Sequence, residues 1–224
     1  SFSKDFSGDG PIAIGKSTTD NDRFLNANVL DLRIWDKFKP LSDVFAGIST
    51  VLRGSEVGLI GYWPFDEGFG TLALDKARFR NATVYSDWQV LPKGKSLSFD
   101  GVDDYLSINT SSTVVISEET DFTIEFWYKA ALDQANTVMF SSGKGTSGSE
   151  AENIADNPAK SLSIGFNQNG KLYVASNGQI NVVNLDTENV LDDNWHHFAL
   201  SVSRLGNGSV FLDGEQVTSV SNEN

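Results

Sequence analysis

The stretch FDGVDDY, residues 99–105, brings Asp100, Asp103 and Asp104 together beside a glycine that permits a sharp bend. Carboxylates this close repel one another unless a cation lies among them. Calcium takes several hard oxygen ligands, including backbone carbonyls, so the pattern points to a structural Ca²⁺ site. The competing reading is a solvated hairpin turn whose aspartates bond their own backbone. Asp66 in WPFDEG and Asp31 in VLDLRIW are two more metal candidates, provided their strands are neighbours. In that arrangement Arg33 can instead pair with Asp66 or Glu67, which would make a structural salt bridge.

A second candidate lies in DFTIEFWYKA, residues 121–130. Strict alternation puts Phe122, Ile124, Phe126 and Tyr128 on one face and Thr123, Glu125 and Trp127 on the other. An outward Trp127 with Glu125 beside it could stack on and bond a sugar ring. A loop or helix lying over that face would leave the pair covered instead. His196 and His197 are the chain's two histidines, and being adjacent on a strand they point to opposite faces. They cannot share a metal, and one of them is expected to be buried and hydrogen-bonded. Glycoside hydrolysis on a sheet needs two facing carboxylates, as in E-x-D-x-E on one strand face. That pattern does not occur here, nor does a serine triad, a phosphate loop or a dinucleotide fingerprint. The acidic segments at 18–24 and around Glu150, Glu152 and Asp156 lack EF-hand spacing and read as solvated surface. The chain is therefore expected not to be an enzyme.

The elements that must position these residues are short strands separated by Gly, Asn, Asp and Ser. NVLDLRIWDK alternates, with Val29, Asp31, Arg33 and Trp35 on one face and Leu30, Leu32 and Ile34 on the other. LSDVFAGISTVLRG (41–54) has helical spacing, Ser42 as a cap and Gly54 as a stop. SLSIGFNQNGKLYVAS reads as a hairpin around Asn-Gly. Residues 143–160 read as a long exposed loop. Roughly eleven to thirteen strands at about 8–15-residue spacing, with one short helix, predict an all-β, antiparallel two-sheet sandwich.

The composition fits this class. The chain has 224 residues, 39% of them hydrophobic, which is enough for a sizeable core. Its net charge of −13 repels phosphate backbones and anionic membranes, so nucleic acid is not an expected partner. It has no cysteine, which excludes disulfides and thiolate metal sites. No apolar run is long enough to suggest membrane insertion.

Taken together, GLIGYWPFDEGFGTLALD (58–75), KSLSFDGVDDYLSI (95–108), DFTIEFWYKA (121–130), DNWHHFALSVS (193–203), GSVFLDGEQV (208–217) and NANVLDLRIWDKFKPLSD (26–43) resemble the laminin-G-like, concanavalin A-like jelly-roll family. The cysteine-free bacterial branch is the nearest likeness. The resemblance implies a non-catalytic extracellular or cell-surface module of a large repetitive bacterial protein. It would bind a glycan or a cell-surface or matrix protein, with neighbouring repeats of its own polypeptide as further partners. A carbohydrate-binding module of a secreted enzyme is the alternative, and a divergent glycosidase comes third. Family members with a structural Ca²⁺ near the sheet rim support the calcium reading. The order of the pieces departs from the family. Residues 1–57 look like a repeat's closing strands and helix, and residues 58–224 like its opening and central strands. The expectation is a single sandwich over 1–224, either circularly permuted or spanning a repeat boundary.

Overall fold

The computed structural model describes residues 11–18, 23–108, 116, 120–143, 161–176, 179–182, 190–205 and 208–220. Its strands in chain order are β1 (Ile12–Ile14), β2 (Asn26–Trp35), β3 (Leu59–Trp63), β4 (Leu72–Ala73), β5 (Ala82–Tyr85), β6 (Asp87–Leu91), β7 (Gly94–Asp100) and β8 (Tyr105–Ile108). They continue with β9 (Phe122–Ala130), β10 (Thr137–Gly143), β11 (Ser161–Phe166), β12 (Leu172–Ser176), β13 (Gln179–Val182), β14 (Trp195–Val202), β15 (Gly208–Leu212) and β16 (Glu215–Val220). One helix, α1 (Leu41–Gly47), follows β2. The strands form two antiparallel sheets, as expected of a jelly-roll sandwich. The first runs β13-β12-β11-β10-β1-β8-β5-β4, and the second β16-β15-β14-β9-β2-β7-β6, with β3 also paired to β2.

The earliest strands lie in the middle of both sheets. β1 is bonded on one edge to β10 and on the other to β8. β2 is bonded to β9 along one edge and to β7 and then β3 along the other. One buried cluster joins Ile12 and Val29 to Trp63, Phe99, Phe126, Phe140, Phe166, Phe198 and Leu212. Alternation explains its make-up: β9 turns Phe122, Ile124, Phe126 and Tyr128 inward, and β14 does the same with Phe198, Leu200 and Val202. Each such side chain, once removed from water, contributes about 1.5–3 kcal/mol.

Three local readings change. In β2, Leu30 opposes Trp127 and Arg33 opposes Glu125, so one extra residue is accommodated between them. Asp31 takes φ +60° at this bulge. Val29 and then Leu32 and Ile34 reach the core, so the uninterrupted alternation through residues 29–35 does not hold. The helix ends at Gly47, not near Gly54, and Ser42 does not cap it. Pro40 is the N-cap and makes no side-chain bond there. ATVYSDWQVL is two strands in different sheets, β5 and β6. The acidic stretch after β7 is not a hairpin turn, because β7 belongs to the second sheet and β8 to the first. It is an arch that carries the chain across the rim. The β11–β12 hairpin forms as read: Asn167 Oδ1 accepts the amides of Asn169 and Lys171, and Gly170 has φ +69°. Residues 144–160, with Glu150, Glu152 and Asp156, and residues 19–22 of the other acidic segment lie outside the described residues.

Candidate functional site

Glu125 is not a surface ligand-binding residue. It is fully buried on the outer face of the second sheet. The segment after β2 folds back over that face and delivers Lys39, whose Nζ lies 2.8 Å from Glu125 Oε1. The Trp35 indole N–H donates to the same oxygen at 2.8 Å, and Arg33 Nη1 lies 3.8 Å from it. The Lys39 amide donates to Ser201 Oγ at 2.8 Å and to Thr123 Oγ1 at 3.1 Å, fastening the strap to β14 and β9. Beyond the strap, α1 places Val44 against Ala199 and Phe211. His197 is also on this face, its Nε2 3.7 Å from Glu125 Oε2. Burial lowers its pKa to about 4 despite the Glu125 charge, so the ring is neutral near pH 7. Trp127 is half-buried and meets His197 edge-on, with ring centroids 5.3 Å apart. Of the two covers expected for it, the 143–160 loop and the helix, the loop lies outside the described residues from residue 144 on.

The metal candidates separate. Asp31 is held by Arg33, with Nε–Oδ1 at 2.9 Å and Nη2–Oδ2 at 2.6 Å. Burial raises the Asp31 pKa, and Arg33 opposes that shift. Asp66 pairs with Lys76 at 2.6 Å on the exposed surface. β2 and β3 are indeed neighbours, yet Arg33 takes Asp31 and not Asp66 or Glu67. Asp31 and Asp66 are therefore each committed to a cation of the chain, and neither joins the aspartate cluster.

Asp100, Asp103 and Asp104 do come together, each offering a carboxylate oxygen within 4.8 Å of the others. Asp100 Oδ1 accepts the amides of Val102 at 2.8 Å and Asp103 at 3.4 Å, while Asp104 Oδ2 accepts the Asp100 amide at 3.1 Å. The turn bonding anticipated from sequence is thus present, and it draws the three carboxylates toward one point. Partial burial raises the Asp104 pKa, and the charges of Asp100, Asp87 and Asp103 add to the shift. A divalent cation is the species that such a set relieves. Gly101 takes φ +81° and its Cα faces Asn26, which keeps the arch tight against β2.

Beside this cluster is a polar cavity of about 360 Å³, lined by Asn26, Asp100, Asp133, Asn136 and Thr137 among others. Asp100 belongs to both cluster and cavity. Gln134 braces the wall by bonding both the amide and the carbonyl of Asn26. Asn136 takes φ +58° and donates its amide to Asn167 O. None of these lining residues except Asp100 was singled out from sequence. They come from three distant segments, around residues 26, 100 and 133–137, and only the sheet order brings these segments to one rim.

His196 fills a separate niche at the start of β14. Its Nδ1 is 2.8 Å from Asp213 Oδ2 and its Nε2 is 3.0 Å from Asp192 Oδ1. Both histidines prove to be buried, and on opposite faces.

Residues 100–224 match a family model, Laminin_G_3, described as the concanavalin A-like lectin/glucanases superfamily. Comparison with curated proteins and with solved structures gives no match.

Proposed function

Because the chain belongs to the concanavalin A-like lectin/glucanases superfamily, we propose that it is a non-catalytic, extracellular ligand-binding module of a bacterial surface protein. It holds Ca²⁺ at Asp100, Asp103 and Asp104 and takes a glycan or a protein surface at the adjoining rim. One observation carries this reading: the aspartate arch and the polar cavity share Asp100, so ion and ligand would meet at one wall. The ion would stiffen the arch and offer a hydroxyl-rich ligand an oxygen-coordinating centre. The closure of Glu125 under Lys39 and Trp35 supports a non-catalytic role, since that carboxylate cannot reach an external glycosidic bond.

The alternative, a carbohydrate-binding module of a secreted enzyme, draws support from a different feature. Tyr85 and Tyr105 stack at 4.4 Å on the outer face of the first sheet, and Tyr85 is 50% exposed. Lys16 Nζ lies 3.5 Å from the Tyr105 ring centre. The exposed ring of Tyr85, backed by Tyr105, suits the apolar face of a sugar.

Calorimetry with and without CaCl₂ tests the first reading. At a hundredfold excess of ion over Kd, Tm should rise by about 5–10 °C and EDTA should reverse the rise. D103N and D104N should each abolish the response without lowering the Tm of the calcium-free protein. An unchanged Tm with CaCl₂ would overturn the calcium site. A glycan array read with and without Ca²⁺ separates the ligand readings. Calcium-dependent binding supports the rim, whereas calcium-independent binding lost in Y85A supports the tyrosine face.

A further inference from the structure

The imidazole of His196 has a carboxylate oxygen at hydrogen-bond distance from each ring nitrogen, Asp213 on one side and Asp192 on the other. A neutral imidazole carries one N–H, so it can satisfy one of these partners. The other nitrogen would then turn its lone pair toward a negative oxygen. Only the doubly protonated ring donates to both. The two carboxylates belong to different parts of the rim. Asp213 forms the β15–β16 turn at φ +51° and is pinned to β14 independently of the ring. Its Oδ1 accepts the His197 amide at 2.7 Å, and its own amide donates to His197 O at 2.8 Å. Asp192 lies in the turn before β14, where its other bonds run to Asn194 inside the same turn. That turn reaches the rest of the rim through the Asp193 amide, which donates to Ala130 O at 3.0 Å, and through an exposed Lys129–Asp193 pair at 3.3 Å.

We propose that His196 is a proton-operated latch that fastens the 192–194 turn to the rim while the ring is an imidazolium and releases it when the ring loses a proton. The remaining proton stays on Nδ1, where Asp213 is fixed by the backbone, and the Nε2 lone pair then repels Asp192. Among the described residues three titratable groups face the ring: Asp192 from the preceding turn, Asp213 from the β15–β16 turn, and Tyr128 from β9, tilted against it at 5.6 Å. Burial holds the Tyr128 phenol neutral, its pKa pushed up, so it adds no opposing charge at ordinary pH. Burial also works against the His196 charge. The hydrogen bonds and charges of Asp213 and Asp192 outweigh it, and the pKa of the ring is raised. Asp192 is lowered to about 2 by its bonds to Asn194 and His196, so it stays ionised throughout the range in which the ring titrates. A raised histidine pKa means that the latch's contribution is complete below the ordinary value of about 6.5 and is lost as pH rises through the folded value.

Side-chain NMR of the whole chain tests this directly, because His196 and His197 are its two histidines. His196 should titrate above about 6.5, and His197, lowered to about 4, serves as the internal reference. Hydrogen exchange read at the Asp193 amide, corrected for the intrinsic pH dependence, should lose about tenfold in protection across the His196 midpoint, the scale of one charge-assisted hydrogen bond. D192N should move the midpoint down and remove the step in protection. A His196 midpoint at or below 6.5 would overturn the latch. So would Asp193 protection that stays level through the titration of the wild-type chain, a measurement that needs no variant to fold.

Discussion

Glu125 and its neighbours form a set of alternating charges across the outer face of the second sheet: Asp31, Arg33, Glu125 and Lys39, all buried except the partly exposed Asp31. In such a set each charge is tolerated because its partner is present, and removal of one member leaves the others uncompensated. E125A should therefore lower the unfolding free energy by about 3–5 kcal/mol, measured by urea denaturation. A double variant that also converts Lys39 to methionine should recover part of that loss. A single-variant loss below about 1 kcal/mol would place the pair with weak surface bridges. This residue also shows where sequence reading stops. The alternation that put Glu125 and Trp127 on the face opposite Phe126 is correct. Nothing in DFTIEFWYKA tells whether that face meets water or a returning strap, because the covering residue, Lys39, comes from another part of the chain.

Element boundaries follow from single contacts that span the sequence. Arg33 donates to the carbonyls of Gly47 and Thr50, both at 2.8 Å, and so satisfies carbonyl groups where α1 ends. The apolar spacing that continues to Leu52 is real, but these bonds stop the helix early. The bulge at Asp31 shifts the phase of the alternation, so that the inward residues run Ala27 and Val29 and then Leu32 and Ile34, and the adjacent apolar Val29 and Leu30 are the trace it leaves in the sequence. The β11–β12 hairpin was legible because Asn-Gly chemistry is local. β10 carries another irregularity, a register shift between Val138 and Phe140 opposite β11. There Gly165 comes so close to β10 that an added Cβ would meet the Thr137 carbonyl oxygen. Backbone cannot swing aside as a flexible side chain can, so G165A should destabilise the chain by about 1–3 kcal/mol. A Tm series on G165A and G165S checks this, and an unchanged Tm for G165A would mean that the two strands separate freely at the bulge.

At the scale of the molecule, the pieces quoted from sequence supply strands to both sheets, though not β1, β5, β6, β10 or β13, and the arch at 100–104 was recognised as a feature though misread as a hairpin. The cavity was not legible, because its walls are brought together by sheet order alone. β1 and β2 divide each sheet into two halves that do not otherwise pair along the strand order. Residues 58–224 expressed without the first 57 should accordingly lack a cooperative thermal transition, and a peptide carrying 1–57 supplied separately should restore it. A sharp transition in the shorter piece alone would show that the halves close on each other.

The central place of β2 has a consequence for how the protein is made. On the ribosome β2 emerges well before β9, which follows it by about a hundred residues. During that interval β3 and then β7 can pair with one edge of NANVLDLRIW, while the edge meant for β9 stays open, the kind that seeks strands of other chains. Its asparagines, Asp31 and Arg33 interrupt the apolar run at intervals, and such polar breaks discourage pairing between nascent chains. The same Asp31 that sits at the bulge of the finished strand is one of these polar breaks in the unfinished one.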